Sequence, residues 1–532
     1  MPTPTGPLLA SHPDVAGSRV RERVLLALAA VACVAISLGI VVAEPHPSLG
    51  LLFAIAAGAV AVAVLITSSR LEVTVMLVVL YLGLLDGPVK LGSGGHEAAT
   101  VVRDILIFSV AIGALLRLLV GKVRVALPPL SGWVLAFIAL VLVEAFNPKT
   151  NGILKALGGF RQQLEFVPFF FFGYALMRSK ERFRRAFVIL GVLALANGAV
   201  SLYQTKLSPG QLASWGPGYS ELVNGTSGPG EGSKSSGEGS KSGVSARGYT
   251  SEGTARIRPP GLGKDSGFAG GLGMIALPCM LALVATGGRR RRAAAVLLCL
   301  GAVLGVVTGL GRLQVVGAVL AVIAFALLSA GAGRQITRPL LAILGVLMLA
   351  VPLGAVLVAV EAPGTFNRYA EIAPGNAVGA KDKKTAELSK LPHQLAVAPF
   401  GVGLATAGAA AGFGGKGGEV FEGHGVGGET VYNYLGDEVG VPGLALWLAL
   451  VLYLILLAVR RLRYIEDVEL RIQLTAVFAV LVGFFLVGVS GPVMGSAAFA
   501  SFFWFTTGIA AYWLAPRRTT VSPAPSPAPQ PG

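Results

Sequence analysis

The chain has 532 residues, 54% of them hydrophobic and only 13% charged, with a mean hydropathy of +0.72. Soluble domains carry about a quarter charged residues, so this composition excludes a water-soluble globular protein and describes a chain that lies mostly in a membrane. The net charge of +16 raises the question of a nucleic-acid partner, while Cys33, Cys279 and Cys299, all inside apolar runs, exclude a disulfide framework and a thiolate metal site.

In chain order, residues 1–23 are a short basic segment, and seven apolar runs follow within 24–203: 24–42, 51–67, 73–85, 105–120, 132–143, 164–176 and 187–203. The third, fifth and sixth are shorter than about 20 residues and need flanking residues to cross a bilayer. Residues 204–265 are Gly/Ser-rich, with Glu231-Gly-Ser-Lys-Ser repeated from Glu238, and read as a flexible loop. Four runs occupy 266–360, namely 266–285, 293–309, 313–329 and 340–360. A large loop fills 361–440, three runs (441–459, 474–489 and 497–514) fill 441–516, and residues 517–532 are a Pro/Ser-rich tail that reads as disordered. The expected fold is all-α and polytopic, with about 14 transmembrane helices and a large extracytoplasmic loop between helices 11 and 12.

Orientation follows from Lys and Arg. One set of alternate segments holds 24 of the 43 basic residues but 7 of the 27 acidic ones. This places both termini in the cytoplasm, with the chain in the cytoplasmic membrane. The positive charge is thereby assigned to topology and the nucleic-acid reading falls away. Val41-Val42-Ala43 resembles a signal-peptide cleavage site, but the run before it is long for one, so an uncleaved first span is expected.

The runs hold no ionisable residue near their centres, which disfavours an ion-coupled transporter. The ionisable residues outside the basic loops gather at the outer ends of spans: Arg103, Asp104, Glu144, Arg161, Glu165, Arg256, Arg258, Arg312, Arg368, His424, Glu429, Asp437 and Glu438. Arg312, in Thr308-Gly-Leu-Gly-Arg312-Leu-Gln314, lies between two spans joined by almost no loop. A planar, permanently charged fork held there suits the oxygens of a phosphate or diphosphate. Arg256 and Arg258 precede Pro259-Pro-Gly-Leu-Gly263, and Arg161 lies in Gly158-Gly-Phe-Arg161-Gln-Gln-Leu-Glu165. The plainer alternatives are an interfacial anchor for Arg312, solvated flanks for Arg256 and Arg258, and pairing of Arg161 with Glu165 one turn on. None of the five histidines forms a pair with metal-ligand spacing.

Over about residues 150–460 the ordered set of these motifs resembles the O-antigen ligase and polymerase superfamily of membrane glycosyltransferases. The resemblance rests on Gly158-Gly-Phe-Arg161, Thr308-Gly-x-x-Arg312, and Arg368 opening the large loop. It also rests on Ala398-Pro-Phe-Gly401-Val-Gly403, similar to the family's Pro-x-G-x-G, and on Tyr432-Asn433-Tyr-Leu-Gly-Asp-Glu438-Val-Gly440-Val-Pro-Gly443, similar to its HN-x-x-L-x-x-E-x-G-x-x-G. The resemblance implies transfer of a polyprenyl-diphosphate-linked glycan to a hydroxyl of a glycan or lipid acceptor on the outer side of the cytoplasmic membrane. It implies no cofactor and no metal, with other polysaccharide-assembly proteins as partners. Arg161, Arg256, Arg258, Arg312 and Arg368 would hold the diphosphate, with Tyr432 and Asn433 beside the substrate. Ligases of the family carry His where this chain has Tyr432, which leaves His424 and Glu429 as candidate bases and tilts the resemblance toward a repeat-unit polymerase. The rivals from other classes are a lipid-linked glycan flippase or exporter and an inactive scaffold.

Overall fold

The computed structural model describes residues 71–94, 97–120, 127–150, 152–224, 248–251, 254–330, 383–406, 430–489 and 497–516. Helices α1 (Leu71–Leu84), α2 (Asp86–Gly92), α3 (Glu97–Val120), α4 (Ser131–Glu144), α5 (Ile153–Leu164), α6 (Pro168–Leu176) and α7 (Lys180–Lys206) lead to two short helices, α8 (Pro209–Ala213) and α9 (Pro217–Asn224). An antiparallel hairpin of β1 (Gly248–Ser251) and β2 (Thr254–Ile257) comes next. Then follow α10 (Phe268–Thr286), α11 (Arg289–Thr308), α12 (Arg312–Ala330), α13 (Lys383–Val397), α14 (Val431–Arg461), α15 (Val468–Val487) and α16 (Ala497–Trp513).

A helix that is apolar all round has no face suited to water and belongs inside a bundle or against lipid. Helices α10 and α15 are of this kind, with 89% and 83% of their apolar windows buried, whereas α7 and α12 are at 39% and 33%. The first two therefore form the centre and the second two its periphery. Small residues set how closely the backbones approach. On α11, Gly301 and Gly305 stand four apart. A Cβ at Gly198 of α7 would lie 2.8 Å from Gly305 N and 2.9 Å from Gly301 O, and one at Gly305 would lie 2.8 Å from Ala269 O of α10. Three helices thus meet at a junction that admits no larger side chain.

Among the described residues, six helices are long and apolar enough to cross a membrane, and the bent pair α1/α2 makes a seventh if it is one span. The protein is a helical membrane protein. Three of the fourteen expected runs, 24–42, 51–67 and 340–360, lie outside the described residues. Others differ in form. The run 73–85 is α1, and the chain turns by 45° into α2. The run 164–176 starts on the last residue of α5 and, after a turn at 165–167, continues as α6, with Pro168 at its first position, where a missing N–H costs no helical bond. The run 441–459 is the distal part of α14, which begins ten residues earlier and bends at Gly440, whose φ is 62°. The motif 432–440 is therefore helical, started by Thr430, whose side chain accepts from Asn433 N. The expected 204–265 loop also carries ordered structure at both ends: α8 opens with a capping box of Ser208 and Gln211, and the hairpin closes the segment.

Candidate functional site

Two groups of polar residues adjoin one another. The first begins where α1 gives way to α2. Asp86 and Lys90, one turn apart on α2, pair at 2.8 Å. Arg103 of α3 binds Glu165 with both its Nε and its Nη2, the latter at 2.6 Å, lies 3.6 Å from Asp86 and stacks over the Phe166 ring. Arg161 of α5 pairs with Asp104 of α3. The expected alternative of Arg161 with Glu165 is therefore corrected: α5 ends at Leu164, and Glu165 meets the guanidinium of another helix instead. The side chains of Asp86, Lys90, Arg103 and Glu165 are buried almost completely, while Arg161 is a quarter exposed.

A buried charge is tolerated only when matched and hydrogen-bonded, and each buried member of this group has an opposite charge beside it. Lys264 is close enough to act on Asp86 and Lys90. Among the described residues, Lys90, Arg103, Arg161 and Lys264 thus stand with Asp86, Asp104 and Glu165. What brings Lys264 there is α7. Asn197, fully buried, donates to Gly83 O at 2.8 Å and accepts from Leu262 N at 2.9 Å. Gln204, two turns on, accepts from Gly261 N at 2.8 Å and donates to Gly261 O at 3.0 Å. The Pro259–Gly263 turn is thereby pinned, with Arg258 half-buried at its start. Sequence reasoning overlooked both amides, although polar side chains seven apart in an apolar helix share one face.

The second group joins the sequence motifs. From α5, Gln163 Nε2 donates to Tyr434 Oη at 2.8 Å and to Glu438 Oε2 at 2.7 Å, and Gln162 Nε2 donates to Glu438 Oε1 at 3.1 Å. Glu438 is fully buried. The turn 399–403 crosses the bend of α14: Val402 N donates to Asp437 O at 2.6 Å and Val441 N to Pro399 O at 2.8 Å. Gly401 and Gly440 both have positive φ, 86° and 62°, and each faces the other's backbone. A side chain at either would meet both steric strain and a closed interface. Gly159 of α5 abuts Leu404 in the same way. The segments 158–163, 399–404 and 430–441 are one interlocked unit.

The remaining expected site residues divide. Arg312 is the exposed first residue of α12. Arg256 is on β2 opposite Tyr249, and Arg368, His424 and Glu429 lie outside the described residues. Tyr432 turns into the bundle, packs edge-on against Trp447 and Phe485, and donates to Phe485 O at 2.9 Å. An aromatic ring at the first turn of α14 thus covers an apolar surface on α15. Asn433, fully buried, donates to Gln394 of α13 at 2.6 Å and takes the Thr430 hydroxyl at 2.5 Å, so it ties α13 to α14. Among the described residues no cluster of His, Cys, Asp and Glu is arranged to hold a metal ion. No family model, curated protein or solved structure matches the chain.

Proposed function

We propose that the protein is a membrane glycosyltransferase of surface-polysaccharide assembly. It transfers a polyprenyl-diphosphate-linked glycan to an acceptor hydroxyl on the outer side of the cytoplasmic membrane, as repeat-unit polymerase or ligase. The observation that supports this reading is the interlocking of 158–163, 399–404 and 430–441. These stretches were singled out by resemblance, and they pack against one another beside a charged cluster.

In this reaction the acceptor oxygen attacks the anomeric carbon, the bond from that carbon to the diphosphate oxygen breaks, and the diphosphate leaves with the electron pair. The enzyme must stabilise charge on the leaving group and take the acceptor's proton. Arg161, Arg258 and Arg312 serve the first need. Glu429 or His424 serves the second. The burial of Asp86, Lys90, Arg103 and Glu165 favours a second reading, a lipid-linked glycan flippase, because buried charges in spans mark transport paths.

A deletion strain separates the two when its glycan is resolved by size and lipid attachment. Single repeat units in place of long chains are expected for a polymerase, and full-length polymer held on the lipid carrier for a ligase. Donor trapped on the cytoplasmic face identifies a flippase. Complementation with Arg312→Ala is expected to fail at normal membrane levels. Arg312→Lys is expected to rescue poorly, since an ammonium lacks the two-pronged contact of a guanidinium. Unchanged glycan in the deletion strain sinks the proposal.

A further inference from the structure

Most buried charges in this protein have partners, and Lys155 does not. It is 2% exposed, and among the described residues its Nζ has no hydrogen-bond partner. Glu144, the carboxylate preceding it in sequence, takes its hydrogen bond from Asn147 instead. An ammonium out of water and without a counter-charge is unfavourable, so its retention calls for an anion that arrives from outside.

The local backbone agrees. Lys155 is the third residue of α5, and the preceding Gly152 offers no capping side chain. The first-turn N–H groups of a helix have no intrahelical acceptor, and together with the helix dipole they favour an anion. Side chains on a helix lean toward its N-terminus, which directs the Lys155 stem over that same uncapped turn. Gly152 has open space around it, so the turn is reachable.

The surroundings speak to what carries the anion. Phe146, Ile153, Leu157 and Phe400 are exposed at 88%, 76%, 52% and 70%. Phe400 belongs to the same place, because the next residue, Gly401, accepts from Asn147 at 3.4 Å. A buried cation at an uncapped helix start, in a segment whose outward face carries bare apolar side chains, matches an amphiphile with a phosphate head and a hydrocarbon chain.

We infer that Lys155 and the first turn of α5 form a phosphate-binding site for a lipid-borne phosphate or diphosphate. This deepens the proposed function by adding a residue that holds the donor's phosphates, and it rests on that reading for the identity of the donor. Lys155 acts here as a binding residue.

The test uses the full-length protein in nanodiscs, with farnesyl diphosphate, farnesol and inorganic pyrophosphate as probes. Wild type is expected to bind farnesyl diphosphate, and Lys155→Met to weaken it by about tenfold or more, the scale of one charge-assisted contact, with farnesol unaffected. Lys155→Met is also expected to melt at or above the wild-type temperature, because the unmatched cation is gone; a structural lysine would give the opposite. Lys155→Gln serves as a second neutral variant with the same expected loss of binding. Equal, Lys155-dependent binding of pyrophosphate and farnesyl diphosphate upholds the site and assigns it to the free anion. Binding unchanged in both neutral variants, or no binding of either phosphate by wild type, overturns it. Unchanged glycan in the deletion strain would defeat the glycosyltransferase reading without touching this result, so the two failures are distinguishable.

Discussion

Helix α1 connects two ionic layers that are built from the same residue types and behave differently. At its start, Glu72 pairs with Arg182 at 3.1 Å and Arg185 at 3.0 Å. Nearby Lys180 pairs with Asp467 at 3.0 Å, and Arg184 with Glu469. These partners come from the ends of α7 and α15, and most of their side chains keep substantial contact with water. Just beyond its end lie Asp86, Lys90, Arg103 and Glu165, whose side chains are 3% to 7% exposed. The first layer keeps its contact with water, where such pairs contribute about 0–1 kcal/mol each. The second has given up its hydration and holds only as a complete set. Ion pairs in one chain thus serve two ends: one ties the starts of α1, α7 and α15 together in contact with water, and the other fixes the relative positions of α2, α3 and the residue after α5, where the motifs converge.

The contrast is broken most directly at Arg103. Arg103→Met leaves Glu165 and Asp86 buried without their shared cation and is expected to destabilise the protein by about 3–5 kcal/mol, read as a fall in thermal midpoint in detergent and in membrane level. A loss below about 1 kcal/mol would put Arg103 in the same class as the water-facing pairs. An intermediate effect is expected at Asp467, which caps α15 by accepting from Leu470 N at 3.2 Å. Asp467→Ala should cost about 1 kcal/mol, most of it the cap. Burial raises the pKa of this carboxyl, but the hydrogen bonds from Lys180 and the Leu470 N–H outweigh that and hold it below the usual value. Its contribution is therefore complete above the ordinary Asp range, about pH 4, and is lost as pH falls through the lowered pKa. A thermal midpoint of wild type that falls no more steeply below that pH than the midpoint of Asp467→Ala would remove the capping role. The smallest effect belongs to Arg184 and Glu469: a double-mutant cycle should give a coupling below about 1 kcal/mol, shrinking in high salt as the pair is screened. A coupling as large as the Arg103 loss would erase the distinction between the layers.

Much of this arrangement is written locally, and its decisive part is not. Apolar length located α7, α10, α11, α12, α14 and α15, and the glycine motifs marked 158–161, 399–403 and 440 before any geometry was known. The choice of partner is another matter. Arg161 and Glu165 are one turn apart and suit each other locally, yet each binds a residue of α3 about sixty positions away. Local spacing carries no trace of such a competition. Lys155 was invisible for a related reason: a lysine in a polar stretch between two apolar runs reads as solvated, and only packing shows that it is not. The ordered ends of 204–265 were legible and overlooked, because Ser208-Pro-Gly-Gln211 is a helix-start signature and the Gly/Ser composition of the segment drew attention away from it.

The bend after α1 has a consequence for the lipid. Fourteen residues separate Glu72 from Asp86, a rise of about 21 Å even if α1 stands upright, and less if it tilts. The hydrocarbon slab of a bilayer is about 30 Å thick. The two ionic layers are too close together to lie at both headgroup planes, so the bilayer thins around α1 or one layer sits below the surface.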